Sequence, residues 1–359
     1  MEGFDPRLTR EPPLHEFTEG VRRSRGIAWY RTPLPPGELQ RLHRRSDLLA
    51  SLQTFGYLTV LAGFGVATWL SLGRLPWWGT AALFYGYGLV AHFQVNAVHE
   101  LVHGTVFRTA WLNPACCHVF AFFGWINHEM FQASHVRHHR YTLHPPDDLE
   151  VVLPMRLMLW HFLRSCGFEG ARLRYTIGDT VRIACGRFRG DWELTLFPPD
   201  QPETRRKPVR WARFILGGHA IILVLSVVTG NWIVPLMLIF GPAVGGWLFW
   251  LCNNTQHVGL HDNVSDFRLC CRTFTLNPVV RFLYWQMNYH TEHHMYAAVP
   301  CYRLPQLHRL IRHDLPPTPH GLIAVWREIG AILRRQARDP EYQHVPVVPG
   351  DARVARARG

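Results

Sequence analysis

Four long apolar runs limit what this chain can fold into more than any other feature: residues 48–72, 77–98, 211–228 and 232–252. Each approaches the ~20 residues that a helix rising about 1.5 Å per residue needs to cross a hydrocarbon core of roughly 30 Å. Trp77, Trp78, Trp211 and Trp232 stand at run ends, where amphipathic rings favour the headgroup layer. The spacing predicts an all-α integral membrane protein with four transmembrane helices, the third reaching residue 230. The helices pair into two hairpins. The connection at 71–76 carries one arginine, Arg74, and the connection at 229–231 carries none. Nearly all other arginines lie outside the hairpins, so the positive-inside rule predicts both chain ends and the central segment on the cytosolic side. Residues 115–131 are also fairly apolar, but they include His118, Asn127, His128 and Glu129. An interfacial or buried helix fits them better than a span.

The rest of the chain is too polar to be mostly bilayer. Mean hydropathy is -0.05, which suits a few spans carrying a large cytosolic helical cap. The organisation predicted is a cytosolic segment over 1–46, a membrane domain over 47–338 with its cap at 99–208 and 253–338, and a basic disordered tail over 339–359. Residues 1–45 are polar, proline-punctuated and arginine-rich, unlike a secretory leader. The net charge of +12 rests almost wholly on arginine, since Lys207 is the only lysine. Such a surface suits anionic lipid or an acidic redox partner, and the membrane runs argue against nucleic acid. Eight cysteines include the adjacent pairs Cys116-Cys117 and Cys270-Cys271 but no C-x-x-C. Zinc ribbons and thioredoxin-like motifs are therefore excluded, and reduced cytosolic thiols are expected.

Histidine is the compositional anomaly, with 22 residues. His99 and His103 form H-x-x-x-H. His135, His138 and His139 form H-x-x-H-H, and His290, His293 and His294 repeat it; His257 follows Asn253 by one helical turn. Positions three and four apart share a helix face, so each cluster is expected to aim its imidazoles at a common spot. His99 directly follows the second apolar run and Asn253 the fourth, which brings all the groups to one membrane surface. Nine imidazoles exceed the needs of one ion, which implies two metals of four or five ligands each. Imidazole alone does not name the metal. His92, His118, His161 and His219 read as ordinary core histidines.

The runs His-Glu-Leu-Val-His-Gly-Thr-Val-Phe from His99, His-Val-Arg-His-His from His135 and Asn-Tyr-His-Thr-Glu-His-His-Met-Tyr from Asn288 resemble the three histidine boxes of membrane fatty acid desaturases. The stretch Val-Pro-Cys-Tyr-Arg-Leu-Pro-Gln-Leu-His from Val299 is similar to the segment C-terminal to the third box in bacterial members, including the dihydrorhizobitoxine desaturase-like group. The resemblance implies a cap-on-membrane fold in a bacterial cytoplasmic membrane, with two non-haem irons and O2 as co-substrate. A lipid or acyl-chain substrate and an external ferredoxin- or rubredoxin-like donor with its reductase are also implied. Metal ligands then fall on His99, His103, His135, His138, His139, His257, His290, His293 and His294, with Asn253 reaching a metal through water. The four-residue repeat in the first box departs from stearoyl-CoA-type members and weakens an acyl-CoA assignment. Desaturation and hydroxylation use the same ligands, and both stay open.

His99-Glu100-Leu101-Val102-His103 also fits H-E-x-x-H, the zinc-protease helix with Glu100 as general base. That alternative leaves six or more clustered histidines without a role. Asp147, Asp148 and Glu292 are candidates to orient metal-bound imidazoles from behind. His144, His261 and His308 lie near the boxes but off their spacing, and read as caps or such supporting groups.

Overall fold

The structure is a computed structural model and describes residues 26–350. Residues 1–25 of the expected cytosolic segment and 351–359 of the expected disordered tail lie outside the described residues. Among those described, the fold is all-helical, with isolated β-bridges but no strands.

Among the described residues, two helices are long and apolar enough to cross a membrane, α2 (Asp47–Ser71) and α10 (Pro202–Thr229). A short α1 (Glu38–Leu42) precedes α2, whose N-cap Ser46 accepts the Leu49 N–H at 3.3 Å. Large apolar side chains remain exposed on both long helices, among them Leu48, Leu52, Ile221 and Val228. Water would penalise such a surface; lipid would not. Helix α10 starts nine residues before the third apolar run and ends at Gly230, whose φ of 68° closes the last turn.

The second and fourth runs are not single helices, contrary to the expectation of four unbroken spans. The second divides into α3 (Trp77–Ala91) and α4 (Gln94–Val102). At the break, the Tyr57 hydroxyl donates to the Val90 carbonyl, and Gln94 Nε2 donates to the Ala91 carbonyl at 3.2 Å. Carbonyls that leave the helical ladder thus keep partners. The fourth run forms α11 (Ile233–Pro235), a π turn (Leu236–Phe240) and a 3-10 turn (Gly241–Ala243). After a non-helical step it resumes as α12 (Trp247–Asn253). Gly241-Pro242 and Gly245-Gly246 explain the interruption: proline removes a donor, and Gly245 takes a φ of 71°. The freed groups are partnered by the cap, Gly245 N–H with the Gly167 carbonyl at 3.0 Å and the Ala243 carbonyl with Glu169 N–H at 2.8 Å.

The cap between the hairpins comprises α5 (Leu112–Phe123), α6 (His128–Tyr141), α7 (Leu159–Ser165), α8 (Gly170–Ala184) and α9 (Gly190–Leu196). Residues 115–131 therefore contribute to two helices, and the Asn127 side chain caps the second. After α12 come α13 (Phe267–Cys270), α14 (Pro278–Leu283), α15 (His290–Met295), α16 (Leu304–Ile311) and α17 (Gly321–Gln336). The Tyr57 ring of α2 lies 5.5 Å from Phe120 of α5 and 6.2 Å from Trp285, just before α15. That buried aromatic knot fixes the cap to the first long helix. Residues 339–344, read from sequence as the start of a loose tail, are tied to the cap: His344 N–H donates to the Gly259 carbonyl at 2.8 Å.

Candidate metal centre

The nine box histidines come together as two neighbouring groups. One holds His99, His103, His135, His139 and His293; the other holds His138, His257, His290 and His294, with candidate ligand atoms within 4.8 Å of one another in each. Seven of the rings are buried, and His103 and His139 are half-buried. A box does not aim at one spot, as its spacing suggested. His135 and His139, four apart on α6, face the first group, while His138 faces the second. His290 and His294 of α15 face the second group, and His293 faces the first. Neighbouring residues project about 100° apart on a helix, so each H-x-x-H-H sends its i,i+4 pair one way and its middle histidine the other.

The ring nitrogens fit cations. In the first group Nε2 of His139 lies 3.0 Å from Nε2 of both His135 and His293. In the second, Nε2 of His290 lies 2.9 Å from that of His257 and 3.1 Å from that of His294. Ligands at ~2.1 Å from one ion and at right angles stand roughly 3.0 Å apart. Other partners fix the opposite nitrogens. Nδ1–H donates from His99 to Glu100 at 3.0 Å, from His135 to Glu150 at 3.0 Å, and from His138 to Asp148 at 2.8 Å. His257 donates to the Cys270 carbonyl at 2.7 Å. A carbonyl or carboxylate only accepts, so these four rings present Nε2 lone pairs inward. His103 Nε2 is buried without a hydrogen-bond partner, as expected of a nitrogen that faces an ion.

Electrostatics agree. Burial, helped by neighbouring imidazoles, pushes His99 and His257 down to about 3 and His103 to about 4, so their lone pairs are free at neutral pH. Against burial, the Asp148 carboxylate raises His138 to about 8. Burial raises Glu100 to about 7. The Glu100 carboxylate, packed behind the neutral His99 ring, is poorly compensated unless a cation lies in front of that ring.

The supporting residues differ in part from those expected. Asp148 is fully buried; besides His138 it accepts the N–H groups of Leu143 at 2.8 Å and Glu150 at 2.9 Å. Asp147 does not support a ring. Its side chain is 42% exposed and pairs with Arg137 at 3.3 Å, because the turn points it outward. Glu292 contacts Thr273 and His308 instead of a clustered imidazole, since α15 turns it away from both groups. His144 and His261 bond nearby backbone carbonyls, and His118 is exposed instead of in the core. Asn253 closes α12 one turn before His257, half-buried.

Glu150 was missed as a support, while Glu100 takes the ligand-orienting place that the sequence left open to it beside the protease reading. Glu150 receives His135 Nδ1 and the Ser134 hydroxyl, the latter at 2.5 Å, while Trp192 donates to Ser134 at 3.0 Å. No sequence spacing indicates Glu150, because a loop with two turns brings it back to α6. Glu100 sits behind His99, and its Oε1 also lies 3.7 Å from Nδ1 of His293. A protease base would stand in front of the ligating nitrogens, so this position argues against the H-E-x-x-H reading.

An all-histidine, two-group arrangement among helices defines a protein with a candidate two-metal site. The profile of the fatty acid desaturase family matches residues 75–326, well over half of the chain, and the chain belongs to that family. The matched range contains all nine histidines and leaves out α2. Family membership makes the protein an oxidase of the general desaturase and hydroxylase type, in a family that typically uses two irons. No curated protein matches the chain.

Proposed function

We propose that this protein is an O2-dependent desaturase that places two irons in the two histidine groups and inserts a double bond into a lipid-linked or similar aliphatic chain. Electrons would come from a separate ferredoxin- or rubredoxin-like protein. The carrying observation is the division of nine histidines into neighbouring groups of five and four. Bound iron with O2 would supply an oxidising strength that no side chain has. The chain's residues do the positioning. Glu100, Glu150, Asp148 and the Cys270 carbonyl hold their imidazoles with Nε2 inward, and Thr142 Oγ1 meets Nδ1 of His294 at 3.1 Å. Phe131 stacks on His135 at 5.1 Å and Phe267 lies 5.5 Å from His294, which keeps water from the rings.

We place both hairpins in the membrane, with the centre on the cytosolic side. The arginine-poor connections support this, and the backbone groups freed at the break in the fourth run are paired with Gly167 and Glu169, as lipid would require. Purified protein should hold about two irons per chain, and lipid products should gain a double bond only with O2 and a reductase–ferredoxin pair. His138→Ala and His293→Ala, one from each group, should each abolish turnover and lower bound iron. A single zinc with O2-independent peptide cleavage would overturn the reading; alcohol products would move it to hydroxylation.

A further inference from the structure

At the start of α2 lies an open surface concavity of about 470 Å³ lined by His43, Arg44, Arg45 and Arg108. Among the described residues, none of these arginines lies within ion-pair distance of a carboxylate, although Asp47 is near enough to Arg108 for charge attraction. Glu38 is taken by Arg41 at 2.7 Å, and Asp47 accepts from Thr109 N–H at 2.9 Å and from its hydroxyl at 2.7 Å. Three exposed guanidinium groups around one concavity, with only the Asp47 carboxylate near one of them, offer an anion a site of net positive charge. The surroundings indicate which anion. Directly along α2 from the concavity, Leu48, Leu52 and Phe55 are 70%, 61% and 47% exposed, a surface for acyl chains. Cations above an apolar helix face match a phospholipid, with its headgroup at the interface and its chains below. An acidic soluble protein or free phosphate would leave that apolar flank unused.

The concavity also connects to the metal centre through one turn, Cys301–Arg303. Arg303 Nε donates to the Arg44 carbonyl at 2.7 Å. The Tyr302 hydroxyl accepts Ser46 N–H at 2.8 Å and donates to the Val106 carbonyl at 2.9 Å. Cys301 hydrogen-bonds Glu100, which receives His99 Nδ1.

We propose that His43, Arg44, Arg45 and Arg108 bind the headgroup of an anionic membrane phospholipid, and that the Cys301–Arg303 turn links this site to the His99 side of the metal centre. The inference rests on reading α2 as a membrane span. Native mass spectrometry of the detergent-purified protein tests it with dioleoylphosphatidylglycerol against dioleoylphosphatidylcholine. The wild type should prefer the anionic lipid. The triple variant Arg44→Gln, Arg45→Gln, Arg108→Gln should bind it at least ~10-fold more weakly, with metal content unchanged. The charge-keeping triple variant with lysine at the same positions should stay within about threefold of wild type. Equal binding by wild type and glutamine variant, an equal loss in the lysine variant, or displacement of the lipid by millimolar inorganic phosphate would overturn the proposal. So would capture of an acidic ferredoxin without any lipid preference. Failure of O2-dependent turnover with lipid preference intact would count against the desaturase reading alone.

Discussion

A ligating imidazole is aimed by whatever holds its other nitrogen, so single residues behind the rings govern this centre. Asp147 and Asp148 are adjacent, yet only Asp148 meets an imidazole, at 2.8 Å from His138. Asp148→Asn keeps the shape and removes the charge, and should weaken metal retention by roughly 10–100-fold. Asp147→Asn breaks a half-exposed pair with Arg137 worth about 0–1 kcal/mol, and should leave retention unchanged. Dialysis against a graded chelator, followed by iron analysis, separates the two; equal behaviour would remove the orienting role of Asp148. The ligand candidates were legible because helical spacing of histidine is a local signal. Their supports were only half legible. Asp148 lies in a turn just after its box, whereas Glu150 reaches His135 through tertiary folding.

At the scale of elements, close backbone approach decides how the interrupted fourth run packs. A Cβ on Gly88 of α3 would lie 2.4 Å from the Val244 carbonyl oxygen and 2.9 Å from that of Gly241. Both are backbone atoms, so Gly88→Ala must push the segments apart, at a cost of about 1–3 kcal/mol. Gly178 of α8 has nothing within 4 Å of the added carbon, so Gly178→Ala should instead stabilise by roughly 0.5–1 kcal/mol. Thermal unfolding in detergent should move in opposite directions for the two variants; a neutral Gly88→Ala would mean that this contact is not made. Sequence already carried the signal for this interruption, in Gly241-Pro242 and Gly245-Gly246, but hydropathy overrode it. The break between α3 and α4 carried no such signal. It occurs at His92-Phe93, where Tyr57 from another helix satisfies a carbonyl, a partner that no local pattern reveals. Helical class and box positions were thus readable, while breaks made by tertiary contact were not.

At the scale of the whole molecule, the centre is assembled from segments far apart in sequence, and the proposed membrane hairpins would bring them to one surface. His99 lies on α4 just past the first hairpin, and His257 lies four residues beyond the end of α12. If each hairpin enters and leaves the bilayer on one side, both ligands emerge beside α6 and α15, which carry the remaining boxes. Helix α2 alone, at about 1.5 Å per residue over 25 residues, is long enough for a full crossing of roughly 30 Å. The 15 residues of α3 are too short alone and need α4 to continue the path. Charge agrees with a cytosolic centre, since Arg74 is the one arginine in the first hairpin connection and the second has none. Paired alkaline phosphatase and green fluorescent protein fusions after Arg74 and after Gly230 should both report the non-cytoplasmic side. Fusions after Arg108 and after Arg272 should report the cytoplasm. A cytoplasmic signal at Gly230 would confine the broken fourth run to one face of the membrane and leave α10 without a return partner. The same signal at Arg74 would remove the first hairpin, and with it the common surface on which His99 meets the other boxes.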